Sequence, residues 1–372
     1  MPVIVLTGGP CGGKSTALCY IEEKLRDMGY TVFAVPEGAT HLMRMGIRPV
    51  GAGLTVRQFQ ELVFLWQLQN QAFYANAARI SSVPEKKKII LYDRGFMDVS
   101  VYTEGDDFRR ILTEHGLSIP DVRDSFYDAI FHLRTAALGA AQYYTTKNNK
   151  FRRETPEEAR QKDAQTLAAW RGHPHLRIID NSTDFEGKMK RLLKEVCHVL
   201  GIPEPLEIER KFLVKAGFDP ASLRNHVACQ KIDITQAYLP ASHGGGVGRI
   251  RKRGQNGSFV YYQTHKQATG DPSVRIETER HITENEFRRL WEQRDPGCYA
   301  IQKERHCFVF NEQYFELDRF LFPHTDMCVL EIELTDKNDV LKLPPFIPIE
   351  KEVTEDPSYT NHALAKMPSV SA

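Results

Sequence analysis

A glycine-rich segment close to the start of the chain has the residue types needed to hold a chain of phosphates. Eight consecutive residues follow the pattern G-x-x-x-x-G-K-[ST], between an apolar run and a helical pattern. They are Gly8, Gly9, Pro10, Cys11, Gly12, Gly13, Lys14 and Ser15, and Thr16 completes the predicted ATP-binding set. Glycines let successive backbone N–H groups surround a phosphate, Lys14 can bridge β- and γ-phosphate oxygens, and Ser15 can bind Mg²⁺. The pattern predicts a site with ATP as phosphoryl donor; a glycine-rich turn that only packs a helix onto a strand is the alternative.

Two acidic residues follow apolar runs of the same half. Asp93 comes after the run 89–92, and Glu37 after the run 31–35. Because ligands bind at the carboxyl edge of an open α/β sheet, both carboxylates are expected beside the phosphates. Asp93 is predicted to order Mg²⁺ together with Ser15, and Glu37 to take the proton of an acceptor hydroxyl. An acid that stabilises the first turn of a following helix is an equally good interpretation of Glu37.

The second half carries charged residues at alternating positions. Glu207, Glu209 and Lys211 share one face of a predicted strand, because strand side chains alternate between faces. The same spacing recurs at Arg249 and Arg251, at Arg275, Glu277 and Glu279, at Lys303 and Arg305, at Glu316 and Asp318, and at Glu331 and Glu333, while Lys266 ends another strand. A charged face on a single strand normally contacts water. Its recurrence over seven strands predicts acids and bases that face each other inside a closed barrel, where a polyanion and Mg²⁺ or Mn²⁺ would find matching ligands.

The apolar runs divide the chain into two domains. In the first, short β-branched runs alternate with helical patterns, which is typical of a doubly wound parallel α/β sheet. Predicted strands are 3–7, 31–35, 88–92, 129–133 and 176–179, with a long helix at 55–80. In the second, eight runs with a period of two predict an antiparallel barrel. They are 208–214, 229–238, 247–253, 259–266, 274–282, 299–308, 314–318 and 329–334. Gly201 and two prolines separate these patterns, so we predict domains at 1–201 and 206–372 with a linker at 202–205.

Composition excludes several other classes. With 41% hydrophobic and 26% charged residues, the 372-residue chain is typical of a globular protein, and no apolar run approaches the roughly 20 residues that cross a bilayer. The first strand begins almost at residue 1, which leaves no room for a signal peptide, so we expect a cytoplasmic location without membrane contact. A formal net charge of +1 favours small substrates over nucleic acid. Seven scattered cysteines without a C-x-x-C pair argue against disulfides or zinc.

The first half resembles small-molecule P-loop kinases of the nucleoside-kinase-like and nicotinamide-riboside-kinase-like group. The resemblance rests on the glycine-rich loop, on Glu37, on 93–95 (Asp-Arg-Gly), and on the segment 151–160, which is placed where such kinases have a mobile lid. It implies that lid arginines close over the transferred phosphoryl group, and Arg153 and Arg160 are the candidates. A solvated helix with Glu–Arg pairs is the alternative for each arginine.

The second half resembles the CYTH, or triphosphate tunnel metalloenzyme, superfamily over about residues 206–366. The opening Glu-x-Glu-x-Lys signature and the later charged pairs all occur in the family's order. The resemblance implies metal binding by Glu207, Glu209, Asp318, Glu331 and Glu333. It implies triphosphate binding by Lys211, Arg249, Arg251, Lys266, Lys303 and Arg305. It also implies that Glu277 or Glu279 orients the attacking water.

Together these patterns predict a bifunctional enzyme. One domain would phosphorylate a small molecule with ATP, and the other would hydrolyse tripolyphosphate or an organic triphosphate, such as a nucleoside or thiamine triphosphate. Two alternatives remain. A 5′-triphosphatase joined to a polynucleotide kinase would process RNA ends and bind RNA in a salt-sensitive way. A nucleotide or polyphosphate sensor would bind these ligands without turnover.

Overall fold

The computed structural model describes residues 1–49, 53–144, 154–202, 206–240, 247–268, 274–336 and 338–366. The chain divides into two compact units, Met1–Val199 and Leu200–Ala372. All seven cysteines are free thiols. None of the helices in the described ranges is long and apolar enough to cross a membrane.

The first unit contains a five-stranded parallel sheet. Its strands are β1 (Val3–Thr7), β2 (Thr31–Val35), β3 (Lys88–Asp93), β4 (Ala129–Leu133) and β5 (Leu176–Ile179), in the order β2-β3-β1-β4-β5. The α-helices in its described part are α1 (Lys14–Asp27), α2 (Gly38–Arg44), α3 (Val56–Ile80), α4 (Phe96–Val99), α5 (Asp107–Glu114), α6 (Pro156–Trp170) and α7 (Phe185–Val199). The predicted α/β sheet is confirmed, with β3 one residue longer than expected.

The sheet forms because its central strands are almost entirely apolar. Ile4, Val5 and Leu6 of β1 are fully buried, and β1 pairs with β3 on one side and with β4 on the other. In this register Leu6 lies beside Asp93, so the phosphate loop that follows β1 and the acid that ends β3 emerge at the same edge. The order of apolar runs along the sequence thus positions the first candidate site.

Helix α3 begins where a capping box satisfies its first N–H groups. The Thr55 hydroxyl accepts a hydrogen bond from the Gln58 N–H, and the Gln58 side chain accepts one from the Thr55 N–H at 2.9 Å. Phe59, Val63 and Phe64 form the buried stripe that holds this helix against the sheet.

The second unit is an antiparallel sheet. Its strands are β6 (Leu206–Val214), β7 (Cys229–Leu239), β8 (Val247–Gln255), β9 (Ser258–Ala268), β10 (Val274–Ile282), β11 (Ile301–Phe310), β12 (Gln313–Phe322), β13 (Cys328–Leu334) and β14 (Ile349–Glu352). Its described helices are α8 (Glu284–Glu292) and α9 (Asn361–Ala365). The eight predicted strands are all present, and β14 is an addition: four residues of mixed polarity are too few for a periodic signal.

Strand β6 closes this sheet into a barrel. One edge of β6 pairs with β13, and the other pairs with β10 near its start and with β14 near its end. Apolar side chains such as Phe212, Leu317 and Leu330 pack in a cluster that excludes the charged positions between them. Alternation therefore places acids and bases on the opposite face of the same strands.

Two candidate phosphate-binding sites

The glycine-rich loop of the first unit is held in a conformation that only glycine accommodates at two of its positions. Gly8 has φ +133°, and a Cβ atom there would lie 2.1 Å from the Leu133 carbonyl oxygen. Gly13 has φ +83° and directly precedes α1. The loop thus leads into a helix N-terminus, where free N–H groups and the helix dipole favour anions.

Lys14 provides the cation of this phosphate site. The Lys14 ammonium donates hydrogen bonds to the carbonyl oxygens of Gly8 (2.9 Å) and Gly9 (2.7 Å). Burial and the nearby Arg94 guanidinium lower the pKa of Lys14 to about 8. The cation is therefore held within the loop by carbonyl oxygens, and a phosphate would offer it stronger, charged acceptors.

Ser15 and Asp93 form a pair that fits Mg²⁺. The Ser15 hydroxyl lies 3.3 Å from Asp93 Oδ2, whereas Asp93 Oδ1 is buried with no hydrogen-bond partner among the described residues. Burial and the nearby Glu37 carboxylate raise the pKa of Asp93 to about 6. An orphaned carboxylate oxygen beside a hydroxyl has the hard-oxygen chemistry that Mg²⁺ prefers.

Glu37 faces the same cavity, and Arg94 holds it there. Glu37 accepts hydrogen bonds from Arg94 Nε (2.7 Å) and from the Thr40 hydroxyl (2.6 Å), and it caps no backbone N–H of α2. Burial alone would raise the pKa of Glu37, but Arg94 and Thr40 hold it below its ordinary value. Arg94 has φ +73°, an uncommon backbone conformation for a side chain of this size, and its guanidinium also contacts Asp98 at 3.0 Å. The Arg94–Asp98 contact has no counterpart in the sequence motif and was not predicted.

These groups border a cavity of about 1360 Å³. The loop, Glu37, Asp93 and Arg94 line its phosphate end, and Phe59, Gln60 and Gln67 of α3 line a wall beside it. This volume has room for a nucleotide and a second small molecule. Helix α3 therefore forms one wall of the cavity.

Asp163 of α6 anchors the loop and was missed by the sequence analysis. Its fully buried carboxylate accepts hydrogen bonds from the N–H groups of Gly9 and Thr135, both at 3.0 Å, and from Arg134 (2.8 Å), and lies 3.2 Å from His132 Nε2. Burial would raise the pKa of Asp163, but the His132 ring and Arg134 hold it well below its ordinary value. Its position inside a helix, far from the loop in sequence, carries no motif that would reveal it.

The two predicted lid arginines are placed differently. Arg153 lies outside the described residues. Arg160 donates a hydrogen bond to the Ala137 carbonyl (3.1 Å) and pairs with Glu157 (2.6 Å), and it is not among the residues that line the cavity. The catalytic role of both arginines stays a prediction.

In the second unit, buried acids and bases converge on the inner face of the barrel. Lys211 of β6 lies 2.8 Å from Glu209 and 2.7 Å from Glu331. Arg305 of β11 contacts Asp318 through two nitrogens, at 2.7 and 2.6 Å, and Glu331 at 2.7 Å. It also binds Glu316, and Lys303 binds Asp318. The predicted inner cluster thus exists, and it includes Glu316, which the sequence placed on this face without a metal- or phosphate-binding role.

The pKa values in this cluster follow from mutual neutralisation. Burial alone would lower the pKa of Lys211, but Glu209 and Glu331 hold it above its ordinary value. Burial alone would raise the pKa of Glu331, but Lys211, Lys303 and Arg305 hold it well below its ordinary value. For Glu316 burial prevails over the neighbouring Arg305 guanidinium, and the pKa is raised.

A second group on β8, β9 and β10 is richer in base. Arg251 donates to Glu279 at 2.8 Å, the Thr264 hydroxyl donates to Glu279 at 2.7 Å, and Arg249 donates to Thr264 at 3.2 Å. Glu279 is therefore bound to a cation and a hydroxyl. The inner face has an acid-rich side near Arg305 and an arginine-rich side near Glu279.

The carboxylates of the barrel fit a divalent cation by chemistry and by register. Glu209 lies directly opposite Glu333, and Glu316 opposite Glu331, so like charges face each other across strand pairs and need a cation between them. Arg305 is that cation for Glu316 and Glu331. One oxygen of Glu316 is buried without a partner in the described part of the chain. As they stand, however, no three described Asp, Glu, His or Cys side chains come together as a metal site. The side chains of Glu207, Lys266 and Glu277 lie outside the described residues.

Comparison with known proteins decides the family. A family model described as an AAA domain matches residues 3–188. An inorganic triphosphatase from Nitrosomonas europaea is 31% identical over 160 residues, which cover 43% of this chain and 96% of that protein. The chain belongs to the AAA domain family in its first half and to the CYTH family of that triphosphatase in its second. The predicted P-loop fold and the predicted CYTH tunnel are thereby confirmed.

Other relatives match the CYTH half over different lengths. An inorganic triphosphatase from Acetivibrio thermocellus is 42% identical over 69 residues, 18% of this chain, and the match spans 43% of that relative's length. A crystal structure of an inorganic triphosphatase is 28% identical and has a TM-score of 0.30, covering 44% of this chain and 96% of its own.

Proposed function

We propose that the two halves carry out two reactions on phosphoanhydrides. The CYTH half hydrolyses tripolyphosphate or an organic triphosphate with the help of Mg²⁺ or Mn²⁺. The AAA domain binds ATP and transfers its terminal phosphoryl group to a small molecule.

The observation that carries the hydrolase proposal is the convergence of Lys211, Arg305 and Lys303 on buried carboxylates inside the barrel. These cations carry the charge opposite to that of a triphosphate. When they bind it, their carboxylate partners become free to bind the divalent metal ion. The similarity to relatives named inorganic triphosphatase supports the proposal that this half hydrolyses a triphosphate.

The reaction requires water to attack the terminal phosphorus. The new bond forms between the water oxygen and phosphorus, the anhydride P–O bond breaks, and orthophosphate and the shortened chain leave. Arg249, Arg251 and Arg305 would bind the phosphate oxygens and stabilise the charge that develops on them. A bound metal would act as a Lewis acid there. Glu279, held near two arginines, or Glu277 would orient the water and accept its proton.

For the AAA half, the proposal rests on Glu37 and its contact with Arg94. Glu37 has a depressed pKa and is therefore ionised at neutral pH, and it borders the cavity next to the phosphate loop. An acceptor hydroxyl placed there would give its proton to Glu37 while its oxygen attacks the γ-phosphorus, and ADP leaves. Ser15 and Asp93 would hold Mg²⁺.

A phosphate-release screen tests both assignments. Tripolyphosphate, ATP, GTP and thiamine triphosphate are each offered with Mg²⁺ or Mn²⁺ to the intact chain and to the variants Glu209→Gln and Lys14→Ala. We expect Glu209→Gln to abolish tripolyphosphate hydrolysis and Lys14→Ala to leave it within about twofold. Hydrolysis that survives Glu209→Gln but disappears in Lys14→Ala would move the activity to the AAA domain.

The kinase assignment needs a separate readout. ADP formation from ATP is measured over a panel of small hydroxyl-bearing molecules in the Glu209→Gln background, which removes the proposed hydrolase. We expect one class of acceptor to stimulate ADP release, and Glu37→Gln to abolish that stimulation while ATP still binds. ADP release that no acceptor stimulates would leave a nucleotide-binding domain without kinase activity.

A further inference from the structure

An aromatic ring stands exposed beside the phosphate loop. Phe185, the first residue of α7, is 49% exposed although it is large and apolar. Its ring lies against Gly13, since a Cβ atom on Gly13 would be 2.8 Å from Phe185 Cε2. The ring borders the same cavity as Lys14, Ser15 and the rest of the loop. An uncovered aromatic face thus lies where a molecule bound by its phosphates would extend from the loop.

Several polar side chains that line the cavity together with the ring are already engaged inside the protein. Asn181 donates to the carbonyl oxygens of Thr135 (2.8 Å) and Leu138 (2.6 Å), and its own oxygen accepts from Lys188 (2.8 Å). Its amide is therefore saturated. The same contacts fix the loop that precedes Phe185 and so hold the ring in place.

The two residues directly before Phe185 are also engaged. The Thr183 hydroxyl contacts Arg191 at 3.2 Å, and Asp184 accepts the Gly187 N–H at 2.8 Å. These contacts stabilise the start of α7. The surface next to the ring therefore offers an apolar face and few groups that could recognise a particular base edge.

We propose that Phe185 is the platform on which the base of the bound nucleotide stacks, and that the site therefore prefers nucleotides to bare polyphosphate while distinguishing purines weakly. This inference rests on the proposed nucleotide site of the AAA domain. Every base has a π-face, so stacking tolerates different bases, whereas tripolyphosphate has nothing to place on the ring. The two halves would then divide their ligands: base-bearing phosphates bind at the loop and the unsubstituted chain binds in the barrel.

Calorimetric titration of the full chain tests this with Mg²⁺ and non-hydrolysable analogues of ATP and GTP. Binding that Lys14→Ala removes is assigned to the loop. We expect Phe185→Ala to weaken both analogues at the loop by about 10-fold, and Phe185→Trp to keep their affinity within about threefold. Phe73→Ala is the matched control, because Phe73 is 66% exposed on α3 and does not line the cavity. We also expect the two analogues to differ by less than about fivefold.

The outcomes separate this inference from the proposed function. If Lys14→Ala leaves the binding of both analogues unchanged, the nucleotide site itself is wrong. If Lys14→Ala removes binding but Phe185→Ala changes it by less than twofold, only the stacking role fails. A preference above about 50-fold for one purine that disappears in Asp184→Asn would overturn the weak discrimination and assign base reading to Asp184. Tripolyphosphate is titrated in the same way. We expect it to bind the loop more weakly than either analogue and to keep its affinity in Phe185→Ala, and an equal loss for all three ligands would overturn the stacking role.

Discussion

The loop of the AAA domain and the barrel of the CYTH domain both gather charge around a place for phosphate, but they use different parts of the chain. The loop relies on the backbone of contiguous residues, and its one lysine is held by two carbonyl oxygens. The barrel relies on side chains from several strands, and its buried cations are held by carboxylates. Ligand-free stability should therefore depend little on charge in the loop and strongly on charge in the barrel.

The reason is the cost of an unpaired buried ion. A buried pair contributes little net stability over an apolar alternative, but removal of one partner leaves the other without compensation. Arg305 pairs with three carboxylates at once, so its removal would leave three buried acids without this partner. Four substitutions test this difference between the two halves.

The largest effect is expected for Arg305→Ala. This change leaves Asp318, Glu316 and Glu331 facing one another with Lys303 and Lys211 as the described cations nearby. We expect the free energy of unfolding of the CYTH unit to fall by about 3 to 5 kcal/mol. Urea denaturation followed by tryptophan fluorescence measures it, with Trp291 of α8 reporting on this unit and Trp66 and Trp170 on the AAA unit. Arg319→Ala is the control: Arg319 lies on the neighbouring strand β12, its side chain is 37% exposed and paired with Asp326, and its loss should cost less than about 1 kcal/mol. Equal losses for the two arginines would refute the idea of a central cation.

Asp163→Asn is the substitution that could break the comparison, because it tests a side-chain charge in the AAA unit. Arg134 loses its counter-charge, and the N–H groups of Gly9 and Thr135 lose a charged acceptor, so we expect a loss of about 3 kcal/mol at pH 7. The pKa of Asp163 is depressed by folding, so its stabilisation is complete above the ordinary carboxyl pKa of about 4 and is lost as the pH falls below it. Unfolding curves of variant and wild type should thus converge in acid. Glu157→Gln, at an exposed position of α6, should behave as wild type at every pH.

Lys14→Ala tests the loop directly. We expect at least a 100-fold loss of nucleotide affinity, equivalent to about 2.7 kcal/mol, because the phosphates lose their cation. The free energy of unfolding without ligand should change by no more than about 1 kcal/mol. The variant loses two hydrogen bonds to carbonyl oxygens, but it also no longer has to bury a charged ammonium. Titration calorimetry and thermal melts without nucleotide give the two values. If the variant is several kcal/mol less stable, the stability of the loop depends on a buried charge as strongly as that of the barrel does.

Thr155→Ala should have the smallest effect. The Thr155 hydroxyl accepts the Glu158 N–H, and Glu158 accepts the Thr155 N–H at 2.7 Å, so the substitution removes one cap of α6 and costs about 1 kcal/mol. Denaturation of the AAA unit measures it. If Asp163 is the main anchor of α6, Thr155→Ala should leave nucleotide affinity unchanged. A marked fall in nucleotide affinity in Thr155→Ala would make the cap, rather than Asp163, the element that positions the loop.

Which contacts could be predicted from the sequence depended on how far apart the contacting residues lie along the chain. The segment from Gly8 to Ser15 is contiguous, so its role and its position after β1 were predictable. The inner face of the barrel was predictable too, since a period of two assigns every residue of a strand to one face or the other. The partners across strands were not, because the contact of Arg305 with Glu331 depends on register and on long-range closure. Asp163 reaches the loop through tertiary packing alone, and no local pattern marks it.

The pairing of β6 has a consequence for how the second unit is made. This strand is the first of the barrel to leave the ribosome, yet it pairs with β10, β13 and β14, the fifth, eighth and ninth barrel strands in order of synthesis. The end of one β6 edge stays unpaired until Ile349–Glu352 has been translated, so completion of the barrel depends on contacts that are distant in sequence and slow to form. A ribosome that stalls before this point would leave a nascent sheet with free edges and unneutralised charges.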